Sequence, residues 1–131
     1  VALNDKNQIL LVRQFRKPIE KYLLEIPAGR LEKGEDPSIA AVRELREETG
    51  YRAENLKFIG KFYTAPGFTD EIMFAYLAQN LILDPLEPDE DEFVELIEID
   101  KDKVEEMILS GEIEDGKTIA ALNLAIQHIS S

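Results

Sequence analysis

The sequence predicts an α/β fold, a sandwich of a sheet packed against helices, and three observations carry that prediction. Runs rich in strand formers occupy residues 8–15, 56–64 and 72–83. A helix start stands at Asp36-Pro37. A segment with apolar residues at helical spacing fills residues 117–129. Strands that mix with helices in this way bury their apolar faces best as layers around one core. The 131 residues fit one compact domain, expected to span residues 1–131, and the 44% apolar content is ordinary for a globular chain.

In chain order, Val1-Ala2-Leu3 is expected to be the tail of a strand that pairs with residues 8–15 (QILLVRQF) through a turn at Asn4-Asp5-Lys6-Asn7. A second short strand is expected at 22–26, ended by Pro27-Ala28-Gly29. Asp36 is placed as an N-cap with Pro37 at the first helical position. The helix should run to about Thr49 and stop at Gly50 in a left-handed conformation. Ile39, Val42 and Leu45, with Ala41, are expected to mark its buried side. Two longer strands follow at 56–64 and 72–83, joined by the loop Ala65-Pro66-Gly67-Phe68-Thr69-Asp70. Residues 84–92 read as an acidic, Pro-containing loop, and 94–99 as a half-buried strand that alternates apolar and acidic residues. A short helix at 103–109 and a longer one at 117–129 complete the chain, the latter with Ile119, Leu122, Ile126 and Ile129 on one side.

Composition excludes several classes of function. No apolar run reaches the roughly 20 residues that span a bilayer, so no membrane role is expected. Without Cys there is no disulfide framework or thiolate zinc site, and one His cannot build a multi-histidine metal site. His128 falls near the end of the last helix, where a cation is favoured, and nothing places it near the other chemistry. A formal charge of -12 argues against nucleic acid as a partner. An acidic protein can still handle a phosphorylated substrate if divalent cations stand between carboxylates and phosphates.

The helix at 36–49 has an unusual face. Glu44, Glu47 and Glu48 stand at i, i+3 and i+4, where like charges repel by a few tenths of a kcal/mol per pair, and Arg43 and Arg46 lie beside them. Taken alone, this reads first as a solvated acidic face in a Glu-rich chain and only second as a carboxylate cluster for hard divalent ions. The surrounding pattern decides between them. Residues 29–51 read GRLEKGEDPSIAAVRELREETGY and fit G-x5-E-x7-R-E-U-x-E-E-x-G-U, with U a bulky apolar residue. Gly29, Glu35, Arg43, Glu44, Glu47, Glu48 and Gly50 fall on the fixed letters. Leu45 and Tyr51 fall on the U positions, Tyr51 being aromatic where aliphatic residues are usual. Such a match arises by chance about once in 10⁸ windows, or ten to a hundred times more often in a Glu-rich chain.

On these residues the chain resembles the Nudix hydrolase family. The resemblance implies a Nudix-type α/β/α sandwich with a mixed β-sheet and a loop–helix–loop catalytic motif. It implies metal ligation by the Ala28 carbonyl, Glu44 and Glu48, with Glu47 taking a further ion or its water. Arg43 is implied to fix a carboxylate, Glu35 or one of the helix glutamates, by ion pairing. Pro66 lies 16 residues after Gly50, and the loop from Ala65 through Gly67 to Glu71 is similar to that of the ADP-ribose pyrophosphatase branch, with Ala65 in place of the common Ser. The segments Val12-Arg13-Gln14-Phe15-Arg16, Leu24-Glu25-Ile26-Pro27-Ala28-Gly29 and Gly111-Glu112-Ile113 with 117–122 resemble the same branch.

That branch implies hydrolysis of the pyrophosphate in ADP-ribose to AMP and ribose 5-phosphate, with two or three Mg²⁺ (or Mn²⁺) ions. A nucleoside diphosphate sugar is then the substrate, held by Arg16 and by Pro66, Gly67 and Glu71. Read without the resemblance, Arg16 is one cation near a strand end. The run 89–92 is a solvated charge run when read alone. By resemblance it supplies the base that takes the water's proton, Glu90 first and Glu92 second. Acids crowded near the helix are expected to raise some carboxylate pKa values. The alternatives are another nucleoside diphosphate sugar, such as GDP-mannose, or a non-catalytic nucleotide-sensing domain. A cytoplasmic homodimer is expected, with N-terminal strands of the family preceding Val1.

Overall fold

The structure, a computed structural model, describes residues 1–87 and 95–129. In chain order it contains β1 (Ala2–Leu3), β2 (Gln8–Arg16), β3 (Lys21–Glu25), α1 (Pro37–Thr49), β4 (Tyr51–Tyr63), β5 (Ile72–Leu83), β6 (Glu95–Asp100), α2 (Val104–Ser110) and α3 (Gly116–Ile126). Among the described residues the strands form one mixed sheet in the order β3-β2-β1-β5-β4, with β6 on β2. β1 runs parallel to β5, and every other pairing is antiparallel. The β1–β2 turn is built by Asn4, whose Oδ1 accepts from the amides of Lys6 and Gln8 at 2.9 Å each, while Asn7 takes φ 59°.

Period-two alternation sends consecutive residues of the central strands to opposite faces. Leu3, Ile9, Leu11 and Leu77 meet Val104 of α2 and Ala121, Leu122 and Ala125 of α3. Ala2, Leu10 and Ala78 meet Leu45 of α1 on the other face. The architecture is therefore the expected α/β/α sandwich, with α1 on one face and α2 and α3 on the other. No helix of the described residues is long and apolar enough to cross a membrane.

α1 begins and ends as the sequence predicts. Asp36 accepts from the Ser38 amide at 2.8 Å, Pro37 opens the helix, and Gly50 closes it at φ 77°. Its buried side differs from expectation. Ile39 is 62% exposed, and the buried residues are Ala40 and Leu45. The helix turns its Ala40–Glu44–Glu48 stripe inward, so carboxylates occupy the place that a count of large apolar residues assigns to Ile39. α3 departs in the same way. Ile126 is exposed, and the inner stripe is Thr118, Ala121, Leu122 and Ala125, with Ile119 and Ile129 at its margin. Small residues let α3 approach the sheet closely. A Cβ at Gly60 in β4 would stand 2.9 Å from Leu124 Cδ1.

β4 starts at Tyr51, five residues before the predicted 56, because Tyr51 pairs with Leu83 and the ladder with β5 runs the length of both strands. Glu54 and Asn55 conceal this early portion, being polar residues on a strand at the sheet's edge. Helix α2 is preceded by a 3₁₀ turn at Lys101–Lys103. Val94, expected to open the sixth strand, lies outside the described residues.

The burial pattern of α1 gives a direct test. Leu45→Ala should destabilise the protein by about 3 kcal/mol in urea unfolding, whereas Ile39→Ser should change stability by no more than about 0.5 kcal/mol. Similar losses at both positions would contradict the orientation of α1.

Candidate active site

The site forms where the exit of β3 crosses α1. The segment from Glu25 to Gly29 lies against the helix so closely that a Cβ at Gly29 would stand 1.9 Å from Glu44 Cδ. Any larger residue at position 29 would displace the Glu44 carboxylate from this position. One residue earlier, the Ala28 amide donates to Glu48 Oε2 at 2.8 Å. The expected trio of Ala28, Glu44 and Glu48 is thus brought together, with the Ala28 amide already joined to one of the two carboxylates.

Arg43 binds the rest of the acidic cluster. Its Nε and Nη2 donate to the two oxygens of Glu35 at 2.9 and 3.0 Å, a bidentate pair. Its Nη1 donates to Glu44 Oε1 at 2.8 Å and to both oxygens of Glu47 at 3.3 Å, and Nη2 also reaches the Arg30 carbonyl at 3.2 Å. Glu35 and Glu44 are therefore held by one guanidinium, and Glu47 more loosely.

The acids differ in electrostatic state. The hydrogen bonds from Arg43 hold Glu35 down to about 2. Burial raises Glu44, with Arg43 opposing the rise. Burial pushes Glu48 up to about 7; the Ala28 amide opposes this and the charge of Glu44 adds to it. Crowding was the expected cause of such a rise, and desolvation proves to be the larger one. Glu48 has no ion-pair partner among the described residues, its recorded hydrogen bond being the one from Ala28. A buried carboxylate without a matching cation is a place where a cation binds favourably. The donors are all oxygen, the set that Mg²⁺ and Mn²⁺ take. With Glu44 turned to Arg43, no three acidic side chains among the described residues converge tightly enough to ring an ion as they stand.

Beside the cluster lies a cavity of about 300 Å³, bounded by Ala28, Gly29 and Glu44 on one side and by Phe62, Met73 and Tyr76 on the other. Glu71 lines it, and Thr64 Oγ1 donates to Glu71 Oε1 at 2.8 Å. Pro66 and Gly67 sit in the turn beyond Glu71, away from the cavity wall, with Phe68 beside them 97% exposed. Glu90 and Glu92, the expected bases, lie outside the described residues.

Arg16 is engaged rather than free. Its Nε and Nη2 donate to Glu25 at 2.8 and 2.6 Å. Glu25 is 1% exposed and also accepts from Lys117 Nζ at 2.6 Å. Burial pushes the Glu25 carboxyl up, but the hydrogen bonds from Arg16 and Lys117 outweigh it and hold the group below its ordinary value. The sequence reading gave Glu25 and Lys117 no role. The available signal was a lone acid inside the apolar run Leu23-Leu24-Glu25-Ile26, directly before the box.

The raised Glu48 carboxyl has a defined sign. Between its ordinary value of 4.5 and about 7 the folded state holds a proton that the unfolded state has released. The stability this contributes is full below 4.5 and is lost as pH rises through about 7. Without divalent ions, Glu48→Gln should therefore be more stable than the parent by about 2 kcal/mol at pH 8, after allowance for partial exposure. At pH 4 the two should match. Urea unfolding at the two pH values checks this, and a difference independent of pH would contradict the burial of Glu48.

Comparison with known proteins agrees with this geometry. The NUDIX domain model matches residues 1–122. An ADP-ribose pyrophosphatase of Bacillus subtilis (strain 168) is 48% identical over 124 residues, which is 93% of this chain and 67% of that protein. A methanol dehydrogenase activator of Bacillus methanolicus shows the same identity over the same length and the same coverage. The chain thus spans about two thirds of the length of these relatives. A solved structure described as an ADP compounds hydrolase superposes with a TM-score of 0.86 at 27% identity, covering 96% of this chain and 69% of that one. With the box geometry in place and the domain model matched over nearly the whole chain, the protein belongs to the NUDIX family.

Proposed function

We propose that the protein is a NUDIX hydrolase that cleaves the pyrophosphate bond of ADP-ribose, giving AMP and ribose 5-phosphate. The observation that carries this reading is the inward-facing acidic stripe of α1, where half-buried Glu48 has no ion-pair partner among the described residues and Glu44 lines a neighbouring cavity. The 48% identity to an ADP-ribose pyrophosphatase supports the choice of substrate over GDP-mannose or another nucleoside diphosphate sugar. The intact box carboxylates weigh against a purely sensing domain. The equally similar methanol dehydrogenase activator makes action through a partner enzyme the second reading. Turnover of ADP-ribose by the protein alone separates the two.

In this reading Glu44, Glu48, Glu47 and the Ala28 carbonyl hold two or three Mg²⁺ or Mn²⁺ ions. When bound, the ions neutralise the diphosphate and polarise its phosphoryl oxygens, an effect worth several kcal/mol. That neutralisation is what lets a chain of net charge -12 accept a dianionic bridge. Arg43 keeps Glu44 and Glu47 in register on the helix and ties Glu35 of the preceding loop to them. Arg16 offers its outer edge to a phosphate while Glu25 holds its inner edge. Glu90, with Glu92 as second choice, takes the proton of the attacking water. Glu71, on the cavity wall, borders the sugar end, and Pro66 and Gly67 shape the turn that leads to it. We read the enzyme as a cytoplasmic homodimer, for which the long edge strand β4 offers a second copy a surface.

Purified protein with Mg²⁺ at neutral pH should release AMP from ADP-ribose, and faster than it releases GMP from GDP-mannose. No AMP under these conditions would remove the proposal.

Glu48→Gln should lower kcat about a hundredfold or more while KM changes little, because the lost stabilisation belongs to the transition state. Glu90→Gln should lower kcat by about 10²–10⁴, the range for loss of a general base. If Glu90→Gln is fully active and Glu92→Gln is not, the base is Glu92.

A further inference from the structure

Glu25 and Thr118 are the buried polar side chains among the described residues, at 1% and 0% exposed, and both serve one joint. The Ile26 amide donates to Thr118 Oγ1 at 3.0 Å, and the Thr118 hydroxyl donates to Asp115 Oδ2 at 2.6 Å. Lys117 Nζ donates to Asp115 Oδ2 at 2.9 Å and to Glu25 Oε1 at 2.6 Å. A closed ring therefore runs from Glu25 through Lys117, Asp115 and Thr118 to the amide of Ile26, the residue next to Glu25. Asp115 is also the N-cap of α3, so the ring ties the first turn of that helix to the end of β3.

Stability is a poor explanation for such a ring. Buried ion pairs repay their desolvation only with good geometry and full hydrogen bonding, and apolar replacements of similar volume are often as stable. What the ring does fix is a stretch of backbone. Two residues beyond Ile26, the Ala28 amide holds Glu48, and Arg43 holds the Arg30 carbonyl. The 26–30 segment is thus gripped from one side by α1 and from the other by α3. Its position between them sets where Ala28 meets Glu48.

We propose that the first turn of α3, through Thr118 and the Glu25–Lys117–Asp115 ring, is a positioning element of the metal site that places Ala28 and Glu48 without touching substrate. The proposal rests on the reading of Glu48 and its neighbours as metal ligands. Thr118 is a positioning residue in this scheme. The isosteric change Thr118→Val leaves the Ile26 amide without its acceptor, lets the segment shift, and loosens the site two residues away. Thr118→Ser keeps the hydroxyl and should keep the site.

The experiment is titration of the full chain with Mn²⁺ alone, following the signal of the free ion by electron paramagnetic resonance well below each variant's melting temperature. Thr118→Val should weaken Mn²⁺ binding about tenfold, the lower end for loss of a group that orients a metal ligand, and Thr118→Ser should stay within about twofold of the parent. The Mg²⁺ concentration for half-maximal ADP-ribose hydrolysis should rise in the same proportion, with KM at saturating Mg²⁺ nearly unchanged. If Thr118→Val does not fold, Glu25→Gln carries the same expectation for Mn²⁺ binding. Variants that melt earlier yet bind Mn²⁺ as the parent does would overturn the proposal and leave the metal-site reading standing. A parent protein that takes up no Mn²⁺ would overturn that reading, and the proposal with it, before any variant is measured.

Discussion

The structure depends on one contact made against electrostatic preference: a helix that turns carboxylates toward the protein rather than toward water. Glu44 lies against the α-carbon of Gly29 and Glu48 against the amide of Ala28. Desolvation raises both carboxyl groups, and the surroundings answer it unequally. Arg43 compensates Glu35, Glu44 and Glu47, whereas Glu48 receives one backbone amide. A fold that spent its local cations on every acid would be more comfortable and would have nothing left to attract a divalent ion. The deficit at Glu48 is the property on which binding chemistry can be built.

Much of this arrangement was legible in the sequence, because it is local. Asp36-Pro37 and Gly50 mark the helix ends through backbone geometry that depends on neighbours alone. The i, i+3, i+4 spacing puts Glu44, Glu47 and Glu48 on one face of any helix. The direction in which that face points was not legible by apolar counting. Ile39 and Ile126 look like core residues, yet the helices pack through Ala40, Ala121 and Ala125. Small residues carry little weight in a hydrophobicity pattern and much in how closely two elements approach. The joining of Glu25 and Thr118 to one another's segments was not legible for another reason. Their partners lie 92 positions away, from Glu25 to Lys117 and from Ile26 to Thr118, and only the tertiary fold joins them.

Two acids withdrawn from water, Glu25 fully and Glu48 in part, end in opposite states. At Glu25 the hydrogen bonds from Arg16 and Lys117 outweigh desolvation, so the charged form is favoured and its stabilisation fades as pH falls. At Glu48 desolvation prevails, so the neutral form is favoured and its stabilisation fades as pH rises. They lie on the same short stretch of fold, one at the end of β3 and the other across from Ala28. A structural carboxylate paired with two cations thus sits near one that has no ion pair among the described residues, and the contrast separates the support of the site from its chemistry.

Arg43 completes the logic by being replaceable at some partners and fixed at others. Its bidentate pair with Glu35 uses two donors in the planar fork and ties the loop to the helix. Its single bond to Glu44 and its long contacts to Glu47 are the ones a divalent ion would compete for. Were an ion to draw Glu44 away, as the proposed function requires, the pair with Glu35 and the bond to the Arg30 carbonyl would still hold the guanidinium in place. The helix face would then exchange an internal cation for an external one without releasing the loop that Gly29 and Ala28 bring to it. The net negative charge of the chain then works in favour of the exchange, since a doubly charged ion gains more from that field than a single guanidinium does.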